Sequence, residues 1–469
     1  MSGKKSRDVF KEQLNNLVLT LRQRILSGEI GIGEYLPSEL VLAEQYGLSK
    51  NSVRKGLEEL VEQGLIVKKS RIGNQVISNH TFDQTILRVG YYSSLVNEAQ
   101  YLELIHKFEQ KLPSIKVQTI TLPYDHYQQT VHDFFQNELI DVVTINHQDF
   151  LDFAEPSNVF EEQERDNGIY PFLQRPFESF SNKNKVHVRP FVFSPIILCY
   201  NKGHFDESQL SYPDSGWSWD EALKTARSFM KDHGKACGLY FHPLSINRWP
   251  IFMLQNRVWF KRDSLGNISF PADRMLESAS FIRKIFDEQG ISHSFLSDND
   301  RDAEKLFVED QASMIVTSYF SLNEIRKHPV EYDIAPLPYI KDPGSLLLII
   351  GLAINKHTKK KEAAKKFVDF MSGESAQEEI RTTTLSIPAM KRVAEKSDGE
   401  VVYKPSRFHL FREIIPTFKL FSDLGLNSKD ILKLRNELRI FLSDFMDDKI
   451  FLQRLKTKLS PIQVTKKIE

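Results

Sequence analysis

Cysteine is the scarcest informative residue in this 469-residue chain: only Cys199 and Cys237 are present. They form no paired or metal-ligating spacing, and such low usage suits a reducing compartment. Net charge is also missing, because 62 basic residues balance 62 acidic ones, so no global field points to nucleic acid or a membrane surface. Any basic surface must therefore be local. Long apolar runs are absent as well. The richest stretch, LLLIIGLAI at 346–354, has the length of a buried strand and falls far short of the roughly 20 residues that span a bilayer. The opening MSGKKSRDVFKEQLNNLVLTLRQRIL carries charge throughout and lacks the apolar stretch and cleavage site of a secretory signal, so a cytoplasmic protein is expected.

Several catalytic signatures are missing too. There is no Gly-x-Ser-x-Gly elbow. The GIG at 31–33 lacks the further glycine of a dinucleotide loop. His126 and His132 are wrongly spaced to share a helical face. The segment DNDRDAEKLFVE at 298–309 places Asp298, Asp300, Asp302 and Glu309 at calcium-loop positions but has Ala303 where that loop needs glycine. It reads better as a helix start, where aspartates complement the dipole. No acid–base constellation emerges, so no enzyme, metal or cofactor is expected.

What is present is an ordinary globular balance, 41% hydrophobic and 26% charged, over a length that suggests about three compact units. Leu14, Leu17, Val18, Leu21, Ile25 and Leu26 recur at helical spacing, and the glycines and proline of SGEIGIGEYLPS break that helix. A short helix is predicted from Ser38 to Gly47. A third begins at Ser49, whose hydroxyl can cap its first turn. Val53, Leu57, Leu60 and Val61 form its apolar side, and Asn51, Arg54, Lys55 and Glu58 its polar side. Gly64 ends it, and LIVKK and NQVIS can pair as a hairpin.

Three helices followed by a hairpin form a winged helix-turn-helix. SGEIGIGEYLPSE followed by LAEQYGLSKNSVRKGLEELVEQGLI resembles the GntR family of bacterial regulators, in family order and without gaps. The resemblance implies that Lys50, Asn51, Ser52 and Arg54 face the major groove, with Ser49 and Lys55 beside them. Arg and Lys suit phosphates or guanine edges, and Asn suits adenine. Ser38, followed by Glu39, would anchor a phosphate at a helix start. Lys69, Arg71 and Gly73 would form the wing. Two departures stand out. Leu40 and Val41 replace the family's Arg and Glu, which removes one DNA contact and half of a capping box with Ser38. Ile72 replaces a small residue before the wing glycine.

After HTFDQT (80–85), which reads as a linker, strands and helices alternate. ILRVGYY, IKVQTITLP and IDVVTIN are strands. NEAQYLELIHKFEQKLP, with Leu102, Ile105 and Phe108 inside, and HYQQTVHDFFQN are helices. This order predicts an α/β fold with a parallel sheet. Five landmarks then resemble the family 1 extracellular solute-binding proteins. They are FVFSPIILCYNKGHFDESQLSYPDSGWSWDEA (191–222), LFVEDQASMIVTSYF (306–320), APLPYI (335–340), the segment 351–380 and SIPA (386–389).

The resemblance implies a two-lobed periplasmic-binding-protein-like domain over 86–469, behind a DNA-binding domain at 1–79. One lobe would take about 86–190 and 348–400, and the other 191–347 and 401–469. The chain would cross between lobes near Phe191–Ser194 and near 345–350. Sugars present an apolar face and a ring of hydroxyls, so a cleft for them needs aromatics and fixed polar groups. By position, Tyr92, Tyr124, Ser194, Trp249, Tyr319, Phe320 and Tyr339 are the candidates, and Trp217 and Trp219 read as helix packing and capping. The expected whole is a regulator that binds operator DNA, probes a carbohydrate effector and acts as a homodimer without a membrane segment. Two other readings stay open: a GntR-type head on an aminotransferase-like pyridoxal-phosphate domain, and an adaptor that binds a protein or peptide. The amphipathic tail after 405 suits packing on a lobe, with a dimer contact as the alternative.

Overall fold

The computed structural model describes residues 2–70, 72–78, 85–233, 237–287, 297, 299–396 and 403–460. Two compact units are present: residues 1–87 with 105–118, and residues 88–104 with 119–469. Arg71, Asp298 and residues 80–84 of the expected linker lie outside the described residues, and Thr85 already belongs to a strand.

The first unit contains helix α1 (Ser2–Leu26), helix α2 (Glu39–Tyr46), helix α3 (Lys50–Glu62), and the strands β1 (Ile66–Lys69) and β2 (Gly73–Val76). The strands form an antiparallel hairpin with Ile66 opposite Val76 and Lys69 opposite Gly73. The core gathers Leu17, Leu21 and Ile25 from α1, Leu42 from α2, Val53, Leu57 and Leu60 from α3, and Ile66 and Val76 from the hairpin. Gly56 lets α1 approach closely, since a Cβ there would stand 3.2 Å from Leu17 and Val18. Two expected core residues are surface residues. Val61 is exposed because it follows Leu60 by about 100° around the helix, and Leu26 is exposed as the last residue of α1.

The second architecture is a ten-stranded sheet, and it is mixed rather than parallel. Its strands are β3 (Thr85–Tyr92), β4 (Ile115–Leu122), β5 (Val142–Asn146), β6 (Arg189–Asn201), β7 (Cys237–Tyr240), β8 (Ala312–Ser318), β9 (Tyr332–Ala335), β10 (Ser345–Ile354), β11 (Ile387–Pro388) and β12 (Phe418–Lys419). The main path is β4-β3-β5-β10-β6-β8-β7, with β9 and β11 on β6 and β12 on β10. β3 runs parallel to β5, and β7 parallel to β8, as the βαβ pattern predicts. The centre departs from that pattern. β10 is antiparallel to both β5 and β6, and β6 is antiparallel to β8.

This arrangement explains the two lobes. All thirteen residues of β6 are buried. Its first half pairs through β10 with β5, and its second half pairs with β8 and β9. Two long strands therefore belong to both halves of the sheet. Their register shifts between Ile350 and Gly351, where the backbones come close enough that a Cβ on Gly351 would stand 2.6 Å from the Arg189 carbonyl.

Helical details also differ from expectation. Leu102 is exposed and Leu104 takes its place inside, because the helix restarts at Tyr101 after Gln100 in a left-handed conformation (φ 50°). The aspartate-rich segment is a helix start, as expected: Asp300 precedes the helix Arg301–Val308. The tail forms helices Ser428–Leu442 and Asp448–Leu459, which pack on each other and on the helix Ala272–Asp287. Packing within the chain thus accounts for their apolar faces.

Candidate functional site

In the winged helix, local chemistry positions the polar side chains. Ser49 Oγ accepts from the Ser52 amide at 3.2 Å and lies 2.7 Å from Ser52 Oγ. The cap holds the start of α3 while Lys50, Asn51, Arg54 and Lys55 stay exposed. Ser52 is different: it is buried and its hydroxyl is held by the cap, so it is not on the exposed face of α3. Ser38 Oγ accepts from the Val41 amide at 3.3 Å, which leaves half of the capping box that the missing Glu would close. Val41 and Leu40 are both about half exposed.

Glu39 joins three elements. Its carboxylate accepts from Arg54 Nε at 2.8 Å and lies 4.0 Å from Lys68 Nζ on β1. The Arg54 hydrogen bond holds the Glu39 carboxyl below its ordinary range. Glu39 thus orients Arg54, the residue best suited to a guanine edge, and sits beneath the exposed surface. In the hairpin, Lys69 and Ile72 are exposed and Gly73 adopts φ 138°, which favours glycine.

In the two-lobed domain, the ends of β3, β4 and β5 bring three tyrosines together. Tyr92, Tyr124 and Tyr127 form a ladder. Tyr124 stacks on Tyr92 at 5.3 Å and 8° between ring planes, and Tyr92 stacks on Tyr127 at 4.8 Å. Tyr92 is buried and anchored: its hydroxyl donates to Asp149 and accepts from the Asn146 amide at 3.2 Å and from Asn146 Nδ2 at 3.1 Å. Asn146 Oδ1 in turn accepts from the Asp149 amide at 2.8 Å. Burial pushes the Asp149 carboxyl up to about 6, against the lowering effect of the Tyr92 hydrogen bond. Burial also raises the Tyr92 hydroxyl well above its usual range. Tyr124 is 55% exposed, so one ring face is free.

The opposite half presents buried polar groups. Arg248 Nε donates to the Val316 carbonyl at 2.9 Å, and its Nη2 lies 3.6 Å from Asp300. Ser245 Oγ donates to the same carboxylate at 3.0 Å. Close by in the chain, Trp249 Nε1, Thr317 Oγ1 and Asp300 Oδ1 are buried without a hydrogen-bonding partner. Unpaired buried groups are costly, so these three single out this half as a place where polar partners are wanting.

The remaining candidates turn inward. Ser194 is buried and its Oγ accepts from the Tyr319 amide at 2.8 Å, fixing β6 to the helix Tyr319–Ile325. The Tyr319 hydroxyl donates to the Phe408 carbonyl at 2.9 Å and accepts from the Phe411 amide at 3.1 Å. Its ring packs on Phe408 and Phe411, and Phe320 is also buried. Tyr339 is half-buried, and its backbone joins residues 217–219. Trp219 donates Nε1 to Gln255 at 2.8 Å, and Ser218 with Glu221 caps its helix, in keeping with a packing role. Sequence reading missed Asn146, Asp149, Arg248 and Asp300. Asn146 was findable as the polar residue ending a buried strand; Arg248 and Asp300 meet only in three dimensions. Among the described residues, no group of three or more His, Cys, Asp or Glu could hold a metal ion, and no helix is long and apolar enough to cross a membrane.

Residues 92–378 match the family model described as bacterial extracellular solute-binding protein, and residues 14–76 match that of bacterial regulatory proteins, gntR family. These families are regulatory and solute-binding, not enzymatic, and the first match overturns the aminotransferase-like alternative. Over 70 residues the chain is 43% identical to the HTH-type transcriptional regulator YieP of Escherichia coli, covering 14% of this chain and 30% of that protein. Over 75 residues it is 32% identical to the E. coli mannosyl-D-glycerate transport/metabolism system repressor MngR, covering 14% and 31%. The chain therefore spans about a third of these curated relatives. A solved ABC substrate-binding protein from Listeria monocytogenes, in complex with cycloalternan, has a TM-score of 0.68 at 19% identity, covering 80% of this chain and 98% of that one. The chain belongs to the bacterial extracellular solute-binding protein family, and it carries a GntR-family winged helix-turn-helix at residues 14–76.

Proposed function

We propose that this protein is a ligand-responsive transcription regulator of the cytoplasm. The winged helix reads operator DNA through Lys50, Asn51, Arg54 and Lys55, with Lys69, Arg71 and Gly73 in the wing. The solute-binding module takes a sugar or oligosaccharide between its halves. Tyr124, held flat on the buried Tyr92, covers the sugar's apolar face, and Asp300, backed by Arg248, meets its hydroxyls. A homodimer would place two heads on half-sites about 34 Å apart, so a change in the module alters the fit of both. The effector acts only through its different affinity for the two states.

The observation that carries this reading is the Tyr124 ring. It is more than half exposed, yet it is held flat on a tyrosine that is itself anchored by three hydrogen bonds. Relatives support the ligand class. The repressor MngR is named for a mannosyl-glycerate system, and the solved neighbour holds cycloalternan.

The test is thermal unfolding against a panel of mono- and oligosaccharides. At 100 times its dissociation constant a ligand adds about 2.7 kcal/mol, which raises the midpoint by several degrees. One sugar class should do so in the native chain and not in Tyr124→Ala. No shift with any sugar would sink the sugar reading and leave peptide or protein ligands for the cleft.

A further inference from the structure

The winged helix holds a leucine that its own core does not use, in the midst of its cations. Leu42 anchors α2, with Ala43 and Tyr46 packed on the core beside it. Leu40 takes no part in that core and is half exposed. Its neighbours fix its place. Ser38 caps the first turn of α2, and Ser49 caps the first turn of α3. Glu39 ties the two starts together, accepting from Arg54 Nε at 2.8 Å, and it lies 4.0 Å from Lys68 Nζ on β1. Lys50, at the start of α3, acts on the same carboxylate. Leu40 follows Glu39 in the same turn, about 100° further round the helix. Val41 is equally exposed but lies about 200° round, away from that contact.

The chemistry around Leu40 narrows what it can meet. Lys50, Asn51, Arg54 and Lys55 on α3 and Lys68 and Lys69 on β1 are exposed, and such charge attracts nucleic acid of any sequence. Glu39 occupies Arg54 Nε, which leaves the terminal amino groups of the guanidinium for guanine O6 and N7. A leucine beside them cannot bind a phosphate, and covering one would strip water from a charge without replacing its hydrogen bonds. On the base edges of the major groove, the apolar group on offer is the 5-methyl of thymine.

We propose that Leu40 reads thymine: it packs on the 5-methyl group of a thymine close to the guanine that Arg54 takes. This rests on the DNA-reading role proposed above and adds a base to it. The position contributes a base preference in place of a phosphate contact. Losing one methyl contact of this kind lowers affinity about fourfold. The loss is the same in low and high salt, because no counterion is released.

The experiment selects duplexes from a random pool with the full-length chain. Each thymine of the enriched duplex is then replaced in turn by uracil, which lacks only the 5-methyl group. Anisotropy at one fixed salt concentration reads the affinities. The expected result is a position, near a guanine whose contact is lost in Arg54→Ala, where uracil weakens binding about fourfold in the unsubstituted chain and in Val41→Ala. In Leu40→Ala the thymine and uracil duplexes should bind equally, with an unchanged circular dichroism spectrum. Leu40→Arg should add a phosphate contact and steepen the fall of log affinity with log salt by about 0.9. An enriched duplex on which uracil costs nothing at any position overturns the proposal. So does a uracil penalty that survives in Leu40→Ala, or a salt slope unmoved by Leu40→Arg. A pool from which no sequence is enriched is a separate outcome, which sinks the DNA-reading role and this proposal with it.

Discussion

The two candidate sites of this protein treat their polar and aromatic side chains in opposite ways. In the winged helix, the residues singled out for DNA are mostly exposed, and those with side-chain partners find them within the same small unit: Ser49 caps α3, and Glu39, fifteen positions back, holds Arg54. In the solute-binding module, five of the seven residues singled out for ligand are buried, and they are set by partners far along the chain. Tyr319 is bonded to Phe408 and Phe411, and Ser194 to Tyr319. A DNA-reading face is a surface that one helix can present unaided. A cleft is built by closing many elements around it, so most of its aromatic residues serve the walls.

That contrast can be broken or sharpened by substitution. Trp249→Ala should have the largest effect. It empties a fully buried site and should cost about 3–5 kcal/mol, read as a lowered midpoint of chemical unfolding. DNA affinity of the surviving folded fraction should be unchanged. Tyr92→Phe should cost about 1–3 kcal/mol, because Asp149 and Asn146 lose their shared partner.

Asp149 adds a pH signature to that second variant. Its folded value of about 6 lies above the unfolded value, so its contribution favours the folded state at low pH. That contribution is lost as pH rises from about 4 to about 6 and is flat beyond. Losing the Tyr92 hydrogen bond should move the upper end of this window higher, and Asp149→Asn should remove the window altogether. Unfolding midpoints recorded across that range distinguish the three chains.

Arg54→Ala should weaken operator binding by about 1–3 kcal/mol while leaving thermal stability within about 0.5 kcal/mol. Anisotropy titration of a labelled operator fragment reads the first effect and thermal unfolding the second. A loss of stability equal to the loss of binding would mean that Arg54 is a structural partner of Glu39 and no more. Ser49→Ala should cost about 1 kcal/mol, through the frayed start of α3. Tyr124→Ala should have the smallest effect on stability, within about 0.5 kcal/mol, because its ring is mostly exposed. Its value lies in the asymmetry, since the same change should abolish stabilisation by an effector.

Much of the fold was legible because it is written in short-range pattern. Ser38, Gly47, Ser49 and Gly64 mark helix boundaries in the structure as they do in the sequence. The strands from ILRVGYY onward are also where alternation and apolar runs put them. The direction of the central strands was not legible. Nothing local in LLLIIGLAI says that β10 runs antiparallel to both neighbours, because that depends on which distant strands flank it. The same limit applies to the cleft. Tyr124 and Tyr92 could be picked from their place after strands, but the burial of Tyr319 follows from the return of residues 408–411. Ser52 failed for a local reason: one face of a cap looks like one face of a reading helix until the hydroxyl is seen to be used.

The shared strands have a consequence for biosynthesis. β6 lacks its principal neighbour until β10 has been made, and Phe193 waits for Ile349. The first half of the sheet cannot reach its final hydrogen bonding until the long interval between β6 and β10 has been translated, whereas the second half of β6 finds β8 and β9 within it. Meanwhile the apolar first half of β6 stands as an open edge that other chains can pair with. The winged helix, whose core partners all fall between Leu17 and Val76, carries no such delay. On the ribosome the winged helix is finished long before the solute-binding module, and the interval is when this chain most needs protection from aggregation.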